Sequence, residues 1–166
     1  MPATPRDWAD PFLEQAREDL RAAWAVSDAG VSPSTLCMLI QMVFEKLAKA
    51  TYARNNQVVS YTHKAIPNLF AVLKRHPAGK NLLQASPNIE QFVLSLEWAH
   101  PAIAKTQNPP LPQLEYPWED AVSGTVLYPA RDLPLVKRIY APKDRIAAEC
   151  LKCASDLAKQ LTTIVP

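Results

Sequence analysis

Glycine is scarce in this chain, with three in 166 residues, and that excludes an all-β fold built on many tight turns. Cysteine is as scarce. Cys37, Cys150 and Cys153 are too few and odd in number for a disulfide framework, and they suit a reducing cytoplasm. Cys37 lies in an apolar run and reads as a small core residue. Cys150 and Cys153 have C-x-x-C spacing, but no second pair and no nearby histidine accompany them, so no metal or redox role is expected. Histidine occurs only at 63, 76 and 100, without metal-ligand spacing in the sequence. No long apolar run is free of polar interruption: the longest is broken by Gln41, Glu45 and Lys46, so no membrane span is expected. The start, Met1 to Trp8, lacks the apolar core of a signal peptide, and a cytoplasmic location is expected.

What is present is helical pattern. Nearly half the residues are hydrophobic, enough for one domain spanning residues 1–166. A first helix is expected from about Asp10 to Asp28, with Pro11 in its first turn and Gly30 ending it. Leu13, Ala16, Leu20, Ala23 and Trp24 form its apolar stripe. A second helix, from about Pro33 to Asn55, is apolar nearly all round between Leu36 and Phe44, which marks a central helix. A turn around Ser60–Thr62 precedes a third helix, Lys64 to Arg75, which Pro77 and Gly79 stop. A fourth spans about Ser86 to Lys105, with Pro101 kinking or splitting it. The last runs from about Pro142 to Thr163. Eight of the 16 prolines fall between Pro101 and Pro142, and residues 107–141 carry no helical period. That stretch is too apolar for disorder and is expected to pack across the bundle, with a hairpin near Ser123–Gly124. The fold class is therefore all-α: an antiparallel up-and-down bundle of about five helices, with a long Pro-rich, aromatic-containing connection before the last.

The net charge of +2 is too small to imply nucleic-acid binding by itself. It alternates in blocks, with residues 1–30 and 81–120 acidic and 31–80 and 121–166 basic, as solvated complementary faces do. Gln41, Glu45 and Lys49 share one face of the second helix. Such a polar line in a central helix must be paired, as an internal network or dimer seam, or must border a small polar pocket. Lys74, Arg75, Lys80, Lys137, Arg138, Lys143 and Arg145 would form a phosphate-binding surface if the end of the third helix and the start of the last were adjacent. Tyr116, Trp118, Tyr128 and Tyr140 either stack on bases or anchor the connection. His63 reads as a cap or packing residue or as a ligand contact. His76 reads as a helix-terminal cation and His100 as a helix-end residue.

Three pieces of the first half occur in a familiar order. Phe12-Leu13-Glu14-Gln15-Ala16-Arg17-Glu18-Asp19-Leu20 is followed by Gln41-x-x-x-Glu45-Lys46-x-x-Lys49-Ala50, and then by Thr62-His63. Over roughly residues 10–75 the chain resembles HEPN domains (higher eukaryotes and prokaryotes nucleotide-binding). The resemblance implies a helical bundle, frequently a homodimer, working with a minimal nucleotidyltransferase partner, at times as a toxin–antitoxin pair. It also implies nucleotide or RNA contact. The family's ribonucleases carry an Arg-x4–6-His motif, in which the histidine moves protons and the arginine stabilises phosphorane charge. Here no histidine follows an arginine at that spacing, and none follows His100.

The reading is therefore a non-catalytic HEPN-like binding or accessory module, with no catalytic residue, no metal and no cofactor expected. Its binding residues are expected among Gln41, Glu45, Lys49, His63, Arg138, Lys143 and Arg145. The alternatives are a ribonuclease with a non-standard site around the last helix, or an orphan structural bundle.

Overall fold

A computed structural model describes residues 3–59, 63–107, 112–141 and 143–166. It is 69% helix and 3% strand, so the all-α expectation holds. After a short 3-10 turn at Pro5–Trp8 come α1 (Ala9–Ala29) and α2 (Pro33–Arg54). Gly30, with φ 64°, ends α1 in the left-handed conformation that a residue without Cβ adopts freely, and its N–H closes on Ser27 O. The chain then reverses directly into α2, with Pro33 in the first turn.

α3 (Ile66–Leu73) is shorter than the sequence predicts, and beyond it Pro77 and Gly79, expected only to stop that helix, belong to a further one, α4 (Pro77–Ala85). Pro77 opens a new helix here: its missing N–H falls where none is needed, and His76 caps it by accepting the Ala78 N–H at 3.2 Å. The fourth expected helix splits in the same way at Pro101, into α5 (Ile89–Trp98) and α6 (Pro101–Ala104), with His100 accepting the Ala102 N–H at 3.1 Å.

The connection is not wholly non-helical. It holds a hairpin of β1 (Trp118–Glu119) and β2 (Val126–Leu127), with Gly124 at φ 66° in the turn. Two short helices follow, α7 (Pro129–Asp132) and α8 (Pro134–Ile139), each opened by a proline. Leu114, Leu133 and Val136 are buried in the core formed by the helices, so this segment is packed and not disordered. Trp118 packs partly against the core, whereas Tyr116, Tyr128 and Tyr140 stand exposed. α9 (Ile146–Ile164) closes the chain; its expected start at Pro142, and the turn at Ser60–Thr62, lie outside the described residues.

α2 is the central element, touching α1, α3, α5, α7, α8 and α9. Ile40, Val43, Phe44 and Leu47 are almost fully buried, and Phe44 stacks on Phe70 of α3 at 6.2 Å. No helix among the described residues is long and apolar enough to cross a membrane. The three cysteines are buried and unpaired. Burial pushes the thiol of Cys37 up to about 12 and that of Cys153 up to about 11, and raises Cys150 also, which keeps all three protonated.

Candidate functional site

The polar line on α2 is a closed network. Gln41, Glu45 and Lys49 are spaced four apart and so lie on one face. The buried Glu45 carboxylate accepts from Gln41 Nε2 at 3.0 Å and from Lys49 Nζ at 2.7 Å. It also accepts from His63 Nδ1 at 2.9 Å, across 18 residues of chain. Burial pushes the Glu45 pKa up, but the hydrogen bonds from Lys49, His63 and Gln41, together with the Lys49 charge, outweigh it, so the carboxyl is held below its usual range. Among the described residues no buried side-chain nitrogen or oxygen lacks a partner.

The fold then adds a residue that the sequence reading placed only at a helix end. The ring of His100 stacks on that of His63, centroids 3.9 Å apart and planes 21° from parallel. Two further contacts align the same segments in antiparallel order. Lys64 Nζ lies over the Trp98 ring at 5.5 Å, and Glu97 accepts the Ile66 N–H at 2.9 Å. Glu97 thereby satisfies an orphan donor at the start of α3 and ties that start to the end of α5. Burial raises the Glu97 pKa, against the backbone N–H groups of Ile66 and Ala65. Three histidines dispersed in sequence thus yield a pair in space, and Glu45, His63 and His100 offer one ligand atom each, all within 4.8 Å of one another.

Hydrogen bonding fixes which imidazole nitrogens carry protons. A carboxylate only accepts, so His63 Nδ1 bears hydrogen and its Nε2 is a bare acceptor when the ring is neutral. A backbone N–H only donates, so His100 Nδ1 is bare and its Nε2 bears hydrogen. Burial and then the neighbouring His63 lower the His100 pKa, partly offset by Glu45 and Glu115. The pair therefore presents one acceptor and one donor side by side. His63 is 37% exposed at its side chain, so solvent and ligands reach it.

Lys49 joins this network to an apolar cleft of about 540 Å³, lined also by Pro5, Trp8, Phe12 and Val58. Its Nζ lies 5.9 Å from the Phe12 ring centroid, and Trp8 and Phe12 are 6.2 Å apart. Trp8 and Trp98 are both nearly half exposed, and Tyr116 more so. Leu114, two residues before Tyr116, donates its N–H to Ala99 O at 3.0 Å, which brings that tyrosine's segment alongside His100. The polar centre thus opens through Lys49 onto a cleft with Trp8 and Phe12, and the neighbouring residues Lys64 and Trp98 pair with each other.

The other expected binding residues lie elsewhere. Arg138 pairs with Asp144 at 2.8 Å and sits 5.3 Å over Phe92. Arg145 lines a small cleft with Leu36 and Tyr140, about 14 Å along α2 from Glu45 at 1.5 Å per residue. Lys143 is exposed on the adjoining turn. The conditional basic surface does not assemble. Lys74 pairs with Glu90 at 2.6 Å, and Arg75 lines a cleft with Ile164 and Val165, at the far end of α9 from Lys143 and Arg145. Among the described residues the arginines at the start of α9 have the Asp144 carboxylate beside them and no histidine.

Sequence reasoning missed His100, and a signal for it existed. His76-Pro77 and His100-Pro101 are the same dipeptide in the same role, a capping imidazole before a proline-opened helix. The antiparallel alignment of residues 63–66 with 97–100 is tertiary and has no local signature. In comparisons with known proteins, no protein-family model, no curated protein and no solved structure matches this chain.

Proposed function

We propose that the chain is a HEPN-like binding module whose ligand is nucleotide-class, a mononucleotide or single-stranded RNA, held at the Glu45–His63–His100 site. The observation that carries this reading is the convergence of Gln41, Glu45, Lys49 and His63, the residues on which the family resemblance rests, into one network that shares Lys49 with a cleft lined by Trp8 and Phe12. Trp98 and Tyr116 offer stacking faces, Lys64 a phosphate contact, and the histidine pair one acceptor and one donor for ribose or base. The module is non-catalytic in this reading and works with a nucleotidyltransferase partner. It pairs as a homodimer through Trp24 and Phe12 of α1 and Met38 and Met42 of α2, of which Trp24 is partly exposed and the other three are half-buried. α7 and α8 also touch α2, and the competing reading is that this connection covers the same flank and leaves a monomer.

Titration of the purified chain with adenosine and guanosine nucleotides and with a short single-stranded RNA tests the ligand class. Saturable binding is expected, weakened roughly fivefold or more by Trp98→Ala, since stacking contributes about 1–3 kcal/mol per base. The RNA should remain intact, and light scattering at tens of micromolar should give twice the 18.4 kDa chain mass. No binding at millimolar nucleotide sinks the ligand assignment. RNA cleavage sinks the non-catalytic one, and a monomeric mass sinks the dimer.

A further inference from the structure

We propose that Glu45, His63 and His100 bind a divalent transition-metal ion of the zinc, nickel or copper(II) class. The inference rests on the geometry of this cluster and not on the nucleotide reading. The three donors come from three separate chain segments, α2, the approach to α3 and the cap of α6, and their ligand atoms lie within 4.8 Å of one another. Glu45 Oε2 and His63 Nδ1 are 2.9 Å apart. Two ligands at right angles about an ion with bonds of about 2.0–2.1 Å are separated by about the same distance. The two atoms are thus already within the span of one coordination shell, and the His63 ring has only to tilt and draw back by about half an ångström to seat a tetrahedral ion beside the line now held by the proton.

The surroundings favour a cation and select its class. Glu45, Glu97 and Glu115 lie within electrostatic range of the cluster against Lys49 and Lys64, leaving one negative charge in excess with the imidazoles neutral. Two imidazoles and one carboxylate suit zinc, nickel and copper, whereas magnesium and calcium require oxygen ligands. Gln41 Nε2 and Lys49 Nζ hold the carboxylate in place, as the groups behind a metal ligand commonly do. Partial exposure of His63 leaves room for ion entry and for water on the remaining coordination positions.

A second, larger adjustment is required. The stacked rings do not aim their lone pairs at a common point, so His100 must turn, release the Ala102 N–H and present Nε2. The released bond caps a helix of four residues, so little structure depends on it. Both imidazoles remain neutral and exchange tautomers: the His63 proton moves to Nε2 and the His100 proton to Nδ1. Ion binding thus has a spectroscopic signature separate from affinity.

Calorimetric titration of the untagged, metal-free chain with zinc and nickel salts, and with magnesium as control, tests the proposal. One ion per chain at micromolar affinity is expected for zinc and nickel and none for magnesium. His63→Ala and His100→Ala should each weaken it about tenfold or more. The paired change Cys150→Ser and Cys153→Ser should leave it intact, and cobalt(II) should show ligand-field bands without thiolate charge transfer. Circular dichroism verifies that each variant is folded, and with both histidine variants folded the comparison is decisive. No uptake, or uptake that survives both histidine changes, overturns the proposal. Nucleotide binding in the presence of chelator, without metal uptake, overturns it alone and leaves the proposed function standing.

Discussion

Replacing Glu45 with alanine destabilises the protein by about 3 kcal/mol, the cost typical of breaking a buried ion pair by removing one partner. The loss does not come from the carboxylate's contacts alone. Gln41 is 1% exposed, so its donor cannot turn to water when the acceptor disappears, and the Lys49 side chain, 12% exposed, reaches water only by swinging into the adjoining cleft. For a domain of this size the shift in melting temperature is about 6–12 °C. The double change Glu45→Leu with Lys49→Met removes both charges and should recover much of the loss, because a well-packed apolar pair replaces a buried ionic one at little cost. The pH dependence has a definite sign. Glu45's folded pKa lies below its ordinary 4.5, so its contribution is complete above that value and fades as pH falls through the folded pKa. Glu97, whose pKa is raised first by burial and to a lesser extent by Glu45, acts with the opposite sign; its burial is common to both proteins, and loss of the Glu45 hydrogen bonds dominates, so the difference between wild type and Glu45→Ala narrows in acid. Equal stability of the two proteins at pH 7 in urea denaturation would contradict the network.

Gly79→Ala is expected to destabilise by about 2–3 kcal/mol, against the helix-propensity trend. Alanine in place of glycine inside a helix ordinarily stabilises by up to about 1 kcal/mol. Gly79 lies in the first turn of α4, and a Cβ there would stand 2.4 Å from Leu73 O and 2.7 Å from Leu73 Cα. Both are backbone atoms at the end of α3, whose last residue, Leu73, is fully buried, so no side chain can swing aside. α4 has to retreat from the corner and open the core beneath it, a form of overpacking. Lys80→Ala, exposed one position on, should change stability by less than about 0.5 kcal/mol. Thermal unfolding of the two variants provides the comparison, and a Gly79→Ala protein more stable than wild type would refute the close approach.

The same corner shows what can be read from sequence and what cannot. Stripes such as Leu13, Ala16, Leu20 and Ala23 place α1, and the all-round apolar run beginning at Leu36 places α2 at the centre, because periodicity reports burial directly. Proline is ambiguous. At Pro77, Pro101, Pro129 and Pro134 it opens a helix, although each is equally readable as a stop or as part of an irregular connection. Short helices of four to nine residues also fall below the length at which a period becomes visible. For the site, the four-residue spacing makes Gln41, Glu45 and Lys49 legible as a unit. His63 joins them by a contact 18 residues away, and His100 arrives only because Glu97 reaches Ile66 across 31 residues. Arg138, Lys143 and Arg145 were grouped with them by charge alone, and charge carries no information about which end of a helix faces which.

The central claim is that His63 and His100 stand together over Glu45 in opposite tautomers, and nitrogen-15 NMR of the imidazole rings in the metal-free chain tests it most directly. At a pH well above the imidazole range, His63 should appear with its proton on Nδ1 and His100 with its proton on Nε2, and Glu45→Gln should perturb the His63 ring nitrogens first. Two rings both in the ordinary Nε2–H form, unaffected by Glu45→Gln, would contradict the account.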